Sequence, residues 1–225
     1  MINDELISNI AHQWRQPLSQ INATVGLIDK LLYEKKIQDP EIEAKLQEIE
    51  RLTKYMSNTI DDFRGHFVRE AEQEEISLAD VILKAKEVVQ VSFDDANIML
   101  TSDIRMQTSC RCYKNELTQI IIVLLTNAKD ALLDRNTFEA KVEMVLVKEE
   151  GYFVIKISDN AGGITKSVIQ KIFEPYYTTK HQSVGTGLGL FMARKIIQER
   201  HKGTLEVKNR DSGSCFTIKL KETQA

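Results

Sequence analysis

A regular apolar stripe through residues 1–70 is the feature that most constrains the fold of this chain. The stripe comprises Ile10, Trp14, Pro17, Ile21, Val25, Ile28 and Leu32, then Ile42, Leu46, Ile49, Leu52, Met56, Ile60, Phe63 and Phe67. The spacing of three or four residues between its members predicts two amphipathic helices. Asp39 followed by Pro40 is typical of the start of a helix, here the second one. Such a hairpin leaves an apolar face uncovered. We therefore expect a dimeric four-helix bundle; packing on the rest of the chain is the alternative.

The pattern changes at residues 71–76, a charged segment without apolar periodicity that we expect to be a linker. After it, residues 77–225 alternate short apolar strands with helices, and Ser77 followed by Asp80 is typical of a helix start. This order predicts an α+β sandwich with helices on one face of a mixed sheet. The predicted helices are 78–90, 115–133, 166–172 and 188–199, and the predicted strands are 97–102, 108–113, 141–148, 152–158, 204–209 and 214–220.

Charge and composition exclude several classes of protein. The net charge is −3, from 30 basic and 33 acidic residues, which gives no electrostatic footprint for nucleic acid. No apolar run approaches the ~20 residues that span a bilayer, and the N-terminus does not look like a signal peptide. We therefore expect this portion to be cytoplasmic, with any membrane anchor of a full-length protein lying outside this sequence.

The three cysteines are few and odd in number, which is typical of a reducing cytosol. Cys110 and Cys112 stand two apart in a predicted strand and are expected to point the same way. We interpret them as packed thiols, because a metal site would need further ligands nearby.

His12 lies in the segment HQWRQPL, on the first predicted helix. At about 100° per residue it stands about 200° from Ile10 and from Trp14, so it points away from the apolar stripe. An exposed imidazole is largely neutral at pH 7 and therefore nucleophilic, and Pro17 should bend the helix just after it. A lone surface histidine usually has no chemical role, so the geometry alone favours an ordinary surface residue over a nucleophile.

Three further segments have features that suit a nucleotide. LLTNAKDAL places Asn127 in an apolar helix, where a buried amide needs partners such as a metal ion with its waters. ISDNAGGI ends an apolar strand with Asp159, a carboxylate that can accept a hydrogen bond from an amino group. GTGLGL opens a helix with glycines whose N–H groups suit phosphate oxygens, and Lys180 adds a positive charge. Taken singly, these features could also be a satisfied core amide, a turn and a tight loop.

In this order, the four segments resemble the motifs of the sensor histidine kinase family. HQWRQPL is similar to the H-box of that family. The other three, with IFEPYYTTK between the last two, are similar to the N-box, first glycine box, F-box and second glycine box of its GHKL-type ATP-binding domain, which gyrase and a heat-shock chaperone family share. The glycine spacing fits neither a Rossmann fingerprint nor a P-loop, and no eukaryotic-type kinase set is present.

The resemblance covers nearly the whole chain and implies an activity. A dimerisation and histidine phosphotransfer hairpin at 1–70 would present His12, with Gln13 and Arg15 as its catalytic neighbours, to a catalytic ATP-binding domain at 77–225. The implied reaction is autophosphorylation of His12 by ATP with Mg²⁺, followed by transfer to an aspartate of a response regulator. The implied partners are a second copy of the chain and that regulator, without nucleic acid.

The resemblance also assigns the nucleotide contacts. Asn127 would coordinate Mg²⁺, Asp159 would hold the adenine amino group, and Phe173 would anchor a lid over about 175–185. The remaining implied contacts are Asp130, Gly163, Thr179, Lys180, Gly185, Gly187, Leu188 and Gly189. No role is expected for His66, His181 and His201, which we place at the surface or in the lid.

Five positions depart from the pattern of many relatives: Gln13 replaces Glu or Asp, Gln16 replaces Thr or Asn, Val123 replaces Asn or Glu, Asp130 replaces Lys, and Ala161 replaces Gly. A Gln amide can hold the tautomer of the histidine ring but is a very poor base. Two alternatives therefore stay open: a catalytically weak dimeric scaffold or pseudokinase, and a GHKL-type ATPase that would not need the H-box.

Overall fold

The computed structural model describes residues 4–37, 39–50, 53, 72–179 and 187–222, and for 4–16 it describes the backbone alone. The chain divides into two compact units. The first unit contains two helical stretches, and the second contains every described strand. Among the described residues, no helix is both long enough and apolar enough to cross a membrane.

The first unit contains α1 (Asp4–Glu34) and α2, which is helical over residues 40–50. Asp39 begins α2 as predicted, because its Oδ1 accepts a hydrogen bond from a backbone N–H of the first turn at 2.9 Å. Farther along, the Thr53 hydroxyl hydrogen-bonds the Asn22 side chain of α1. The two helical stretches therefore run side by side.

The apolar stripe of the first unit is only partly covered. Leu18, Val25 and Leu46 are buried. Leu18 takes the position that the predicted stripe gave to Pro17, which is exposed, because Leu18 and Val25 are seven residues apart and share one helix face. Four other stripe residues remain between 38% and 43% exposed: Ile21, Ile28, Ile42 and Ile49.

The second unit is built on a mixed five-stranded sheet of order β2-β4-β5-β7-β6, in which only β2 and β4 are parallel. The elements are β1 (Glu74–Ser77), α3 (Leu78–Asp94), β2 (Met99–Ile104), β3 (Ser109–Cys112), α4 (Lys114–Asp134), β4 (Lys141–Glu149), β5 (Tyr152–Asp159), α5 (Lys166–Ile169), α6 (Gly189–Glu199), β6 (Thr204–Arg210) and β7 (Gly213–Lys221). Ser77 caps α3 by accepting from the Asp80 N–H at 3.3 Å, as predicted.

The core lies between one face of the sheet and the helices. Leu146, Ile155 and Ile218 are neighbours across β4, β5 and β7, and all three are fully buried. Helix α4 packs on β4 and β5, α6 packs on β6, and α3 packs on β2. Alternate positions of the strands carry charged residues such as Glu143 and Lys156. The predicted α+β arrangement of the second unit is therefore confirmed.

Three predicted boundaries differ from the structure by three residues or more. The helix predicted at 78–90 continues as α3 to Asp94. The predicted linker 71–76 overlaps β1, which pairs antiparallel with β3 so that buried Ile76 lies opposite Cys110. A strand of four residues with one apolar side chain is too short to show alternation in the sequence. The predicted helix 166–172 is regular only as α5, and residues 170–172 continue as turns.

Candidate functional site

Asp159 ends β5 on the helix-facing side of the sheet, in register with buried Val142. Its carboxylate accepts three hydrogen bonds: from the Ser214 hydroxyl at 2.5 Å, from the Ser214 N–H at 3.3 Å and from the Ala161 N–H at 2.8 Å. A carboxylate offers about four acceptor positions. One position therefore remains for a donor from a ligand, on a side chain that is half-buried and fixed in orientation.

The start of β7 comes very close to Asp159. A Cβ at Gly213 would lie 1.6 Å from the Asp159 carbonyl oxygen, so only glycine fits there without movement of the backbone. This close approach brings in Ser214, which stands 55 residues from Asp159 in the sequence. Sequence reasoning missed Ser214, because only the pairing of β5 with β7 reveals it.

The loop after Asp159 is hydrogen-bonded to the connection between α4 and β4. The Asn160 side chain accepts from the Lys141 N–H at 2.8 Å and donates to the Glu139 carbonyl at 3.0 Å. The Arg135 guanidinium donates to the Ala161 carbonyl. The N–H and the carbonyl of Ala161 are therefore both hydrogen-bonded, so the alanine that replaces a family glycine is held in place.

The far end of the same loop is held by β6 and its turn to β7. The Gly162 N–H donates to the Ser212 carbonyl at 2.6 Å. The Asn209 side chain accepts from the Ile164 N–H at 2.8 Å and donates to the Ile164 carbonyl at 2.7 Å, and Gly163 lies directly against it. The predicted binding residues Asp159 and Gly163 thus share one rigid frame, whose supports could not be identified from local sequence.

Helices α4 and α6 meet at a second group of predicted residues. Asn127 is half-buried on α4, and Val123 lies one turn before it. Gly189, the first residue of α6, sits against Val123: a Cβ there would be 3.3 Å from the Val123 Cγ1. The start of α6, after Leu188, therefore faces the part of α4 that carries Asn127. Asp130 is half-buried on the following turn of α4.

The segments before and after the predicted lid are anchored on the second unit. Phe173 packs edge-on against Phe216 of β7, with ring centroids 6.5 Å apart, and the Arg194 guanidinium lies 5.0 Å from its ring. Gly187 has a φ of 65°, and a Cβ there would lie 2.4 Å from the Tyr176 backbone. Phe173 is therefore held by the core, as expected of an anchor, and Gly187 cannot be replaced without strain.

The structure does not bring every predicted residue to the site. Thr179 is described and is exposed. Five other predicted residues lie outside the part of the chain that the structure describes. They are Lys180 and Gly185, and the side chains of His12, Gln13 and Arg15. Their predicted roles stay predictions.

A buried charged cluster connects the first turn of α4 with the residue that ends α6. Glu116 is 2% exposed, and its two oxygens receive Arg200 Nη2 at 2.7 Å and Arg200 Nε at 2.8 Å. This two-pronged contact is the geometry that best neutralises a buried carboxylate. Arg200 also stacks on the Tyr113 ring, with its guanidinium carbon 3.8 Å from the centroid.

His201 belongs to this cluster and is buried, so its expected place at the surface or in the lid is wrong. Its ring packs edge-on against Tyr113 with centroids 5.6 Å apart, and neither ring nitrogen has a hydrogen-bond partner in the described part of the chain. Burial, helped by the nearby charge of Arg200, lowers the pKa of His201 to about 4. The charged neighbours Arg200 and Lys202 suggested a solvated segment and concealed this burial in the sequence.

Comparison with known proteins places these observations in a family. Residues 112–224, just over half of the chain, match the family described as histidine kinase-, DNA gyrase B-, and HSP90-like ATPase. The chain is 28% identical over 241 residues to the two-component sensor PprA of Pseudomonas aeruginosa, covering 96% of this chain and 24% of PprA. It is 27% identical to the signal transduction histidine-protein kinase AtoS of Escherichia coli, covering 96% of this chain and 34% of AtoS. The chain thus spans between a quarter and about a third of these relatives.

Solved structures show the same fold. The catalytic domain of histidine kinase ThkA, in a nucleotide-free form, superposes with a TM-score of 0.60 at 25% identity, covering 68% of this chain and 97% of that domain. A crystal structure of ThkA in complex with the response regulator protein TrrA gives a TM-score of 0.65 over 99% of this chain and 62% of that one, at 20% identity.

Proposed function

The chain belongs to the histidine kinase-, DNA gyrase B-, and HSP90-like ATPase family, and we propose that it is the catalytic core of a sensor histidine kinase. In this proposal the second unit binds ATP, and the γ-phosphoryl group is transferred to His12. The observation that carries the proposal is Asp159, a carboxylate held by three donors with one acceptor position left over. The choice of His12 rests on the H-box sequence in α1.

Each part of the nucleotide has a candidate partner in the second unit. The free acceptor position of Asp159 suits the adenine amino group. The loop that follows Asp159 and carries Gly163 is held beside it by hydrogen bonds. The N–H groups at the start of α6, with Gly187 and Gly189, suit phosphate oxygens, because they combine hydrogen-bond donors with the positive end of the helix dipole. Further contacts are proposed for Asp130, Phe173, Thr179, Lys180, Gly185 and Leu188.

Asn127 is the proposed protein ligand of Mg²⁺. The described residues contain no group of three or more His, Cys, Asp or Glu side chains that could hold a metal by themselves. A half-buried amide opposite the start of α6 fits Mg²⁺, which keeps several waters and takes its other ligands from substrate phosphates. A bound ion would neutralise the negative charge that develops on the phosphates.

The chain's own residues would then act on the phosphoryl group at His12. A neutral ring nitrogen of His12 would attack the γ-phosphorus in line, so that an N–P bond forms, the bond from the γ-phosphorus to the β,γ-bridging oxygen breaks and ADP leaves. The other ring nitrogen must be held in the N–H form. Gln13 can accept that hydrogen bond but cannot take up the proton, so the proton leaves to solvent or to another base. Arg15, one turn along the helix, would add positive charge beside the transferred group.

The first unit is proposed to dimerise through its uncovered apolar face. Four stripe isoleucines are about two-fifths exposed in the single chain, and a four-helix bundle would cover them. The proposed acceptor of the phosphoryl group is an aspartate on the receiver domain of a response regulator, in line with the ThkA relative seen in complex with its regulator. This portion would act in the cytoplasm, with any membrane anchor lying in a sensor region outside it.

One observation favours the second candidate, a catalytically weak scaffold. Val123 presents a methyl group to the start of α6, at the turn before Asn127 where relatives carry a polar side chain. Gln13 departs from the family as well, because its amide cannot act as a base. Gln13 and Val123 thus both lie at proposed reacting positions. The scaffold would dimerise and bind a regulator without phosphorylating His12.

Labelling with γ-phosphate-labelled ATP and Mg²⁺ tests the proposal, with His12→Ala as the control. We expect label that is lost in acid, is stable in alkali and is absent from His12→Ala. Equal binding of ATP by both proteins would show that the control keeps its nucleotide site. ATP bound without any label would favour the scaffold, and ATP hydrolysed without label would favour an ATPase.

A further inference from the structure

Cys110 and Cys112 form a pair of buried thiols away from the nucleotide site. They lie on β3 with one residue between them, and they are 6% and 2% exposed. Their Sγ atoms are 3.0 Å apart, inside the roughly 3.5–4.0 Å at which non-bonded atoms attract best. Neither sulfur is part of a disulfide. The expectation that they point the same way is confirmed, and their closeness goes beyond simple packing.

We propose that Cys110 and Cys112 are a redox-active dithiol that hydrogen peroxide converts into a disulfide within β3. The geometry carries this assignment, because the two sulfurs already face each other and need approach by only about another 1 Å to reach bonding distance. The resting form is the dithiol, since disulfides in a reducing compartment are mostly transient and sense redox changes.

A bridge would change the backbone of β3. Residues two apart in a strand have Cα atoms roughly 6.5 Å apart, near the upper end of the 4.4–6.8 Å range found across disulfides, and their side chains leave the strand in parallel. Because a disulfide needs its two Cβ atoms about 3.8 Å apart, closing the bridge must contract β3 locally. Among the described strands β3 pairs with β1 alone, so its other edge is free to adjust.

The chemistry proceeds in two balanced steps. The hydrogen bond from Cys112 is the main cause that lowers the pKa of Cys110, against the opposing effect of burial, so Cys110 supplies the thiolate. The thiolate attacks one peroxide oxygen: an S–O bond forms, the O–O bond breaks, and hydroxide leaves and takes a proton as water. The Cys112 sulfur then attacks the sulfenic acid, so that an S–S bond forms, the S–O bond breaks and a second water leaves.

The bridge would act first on the pairing of β1 with β3. Cys112 lies opposite Glu74 and Cys110 lies opposite Ile76, so shortening β3 disturbs both of these pairs. Tyr113 follows Cys112 directly and stacks on Arg200 of the charged cluster. Oxidation is therefore expected to raise amide hydrogen exchange in β1 and β3 several-fold before it affects the five-stranded sheet.

Mass spectrometry of the full chain, after reduction and then treatment with hydrogen peroxide, tests the proposal. The peptide that contains both cysteines should become two hydrogen atoms lighter, and dithiothreitol should reverse the change. Cys215→Ser is the matched control, because Cys215 is equally buried but its sulfur faces the Thr217 hydroxyl at 3.8 Å. That variant should form the bridge at the same rate as the natural chain.

Cys110→Ser and Cys112→Ser should both lose the change in mass. The proposal is overturned if the folded Cys215→Ser chain gains oxygen atoms on cysteine without a bridge, or if the bridge forms only after unfolding in urea. It is also overturned if the bridge forms without faster exchange in β1 and β3. The readout requires neither ATP nor phosphorylation, so it stands or falls separately from the proposed kinase activity.

Discussion

His201 should make the stability of the second unit sensitive to mild acid. The pKa of this buried ring is lowered to about 4, whereas in the unfolded chain it is near the ordinary value of 6.5. Between these values the unfolded chain binds a proton and the folded chain does not, so stability is complete above 6.5 and falls as the pH drops towards 4. At about 1.4 kcal/mol per pKa unit, the full loss is about 3 kcal/mol.

Two charges bear on this ring in opposite directions. Glu116 Oε2 lies 3.7 Å from His201 Nε2 and would favour the protonated form. The same carboxylate is already neutralised by Arg200, whose own charge disfavours a second cation. Burial without a hydrogen-bond partner therefore decides the direction of the shift.

The assay is urea unfolding, followed by circular dichroism, of the natural chain and of His201→Leu over a series of pH values. Other titrating groups contribute equally to both proteins, so the difference between the two curves isolates His201. Relative to the variant, the natural chain should lose about 2 kcal/mol of unfolding free energy between about pH 7.5 and about pH 5. Parallel curves, or a natural chain that gains relative stability in acid, would refute the reasoning.

Four further predictions follow from the same geometry. Asp159→Asn should lower ATP affinity at least about tenfold in a calorimetric titration without changing the circular dichroism spectrum, because the amide replaces an acceptor by a donor. Gly213→Ala should destabilise the second unit by more than about 2 kcal/mol in urea unfolding, since its Cβ would overlap the Asp159 carbonyl. Arg200→Met should cost about 3–5 kcal/mol by removing the bidentate partner of the buried Glu116 charge, and Glu116→Leu in the same chain should recover part of the loss. Val123→Asn should increase the rate of label incorporation from ATP, and an unchanged rate would show that this position does not limit the reaction.

Much of the fold of the second unit could be predicted because its elements have clear periods. The strand predicted at 141–148 is β4, Lys141–Glu149, and the helix predicted at 115–133 is α4, Lys114–Asp134. Both elements are long. Burial alternates from residue to residue along β4 and recurs about once per turn along α4. Strand β1 escaped prediction because it has four residues and only one of them is buried and apolar.

The candidate site was predictable in its motifs but not in its supports. Asp159 could be identified because a carboxylate at the end of an apolar strand needs partners. Ser214 holds the carboxylate directly, whereas Asn209 of β6 and Arg135 hold the loop that follows Asp159. Ser214 and Asn209 arrive through strand pairing, and Arg135 is an ordinary residue at the end of a helix. Such contacts depend on sheet order, which a local pattern does not specify.

Mapping the phosphorylated residue after incubation with ATP and Mg²⁺ tests the central claim most directly. The chain would be digested at alkaline pH, where phosphohistidine survives, and its peptides analysed by mass spectrometry. The account predicts one phosphoryl group on His12, and much less of it in Asp159→Asn at ATP concentrations that do not saturate the variant. Phosphorylation of another residue, or none in a chain that binds ATP, would contradict it.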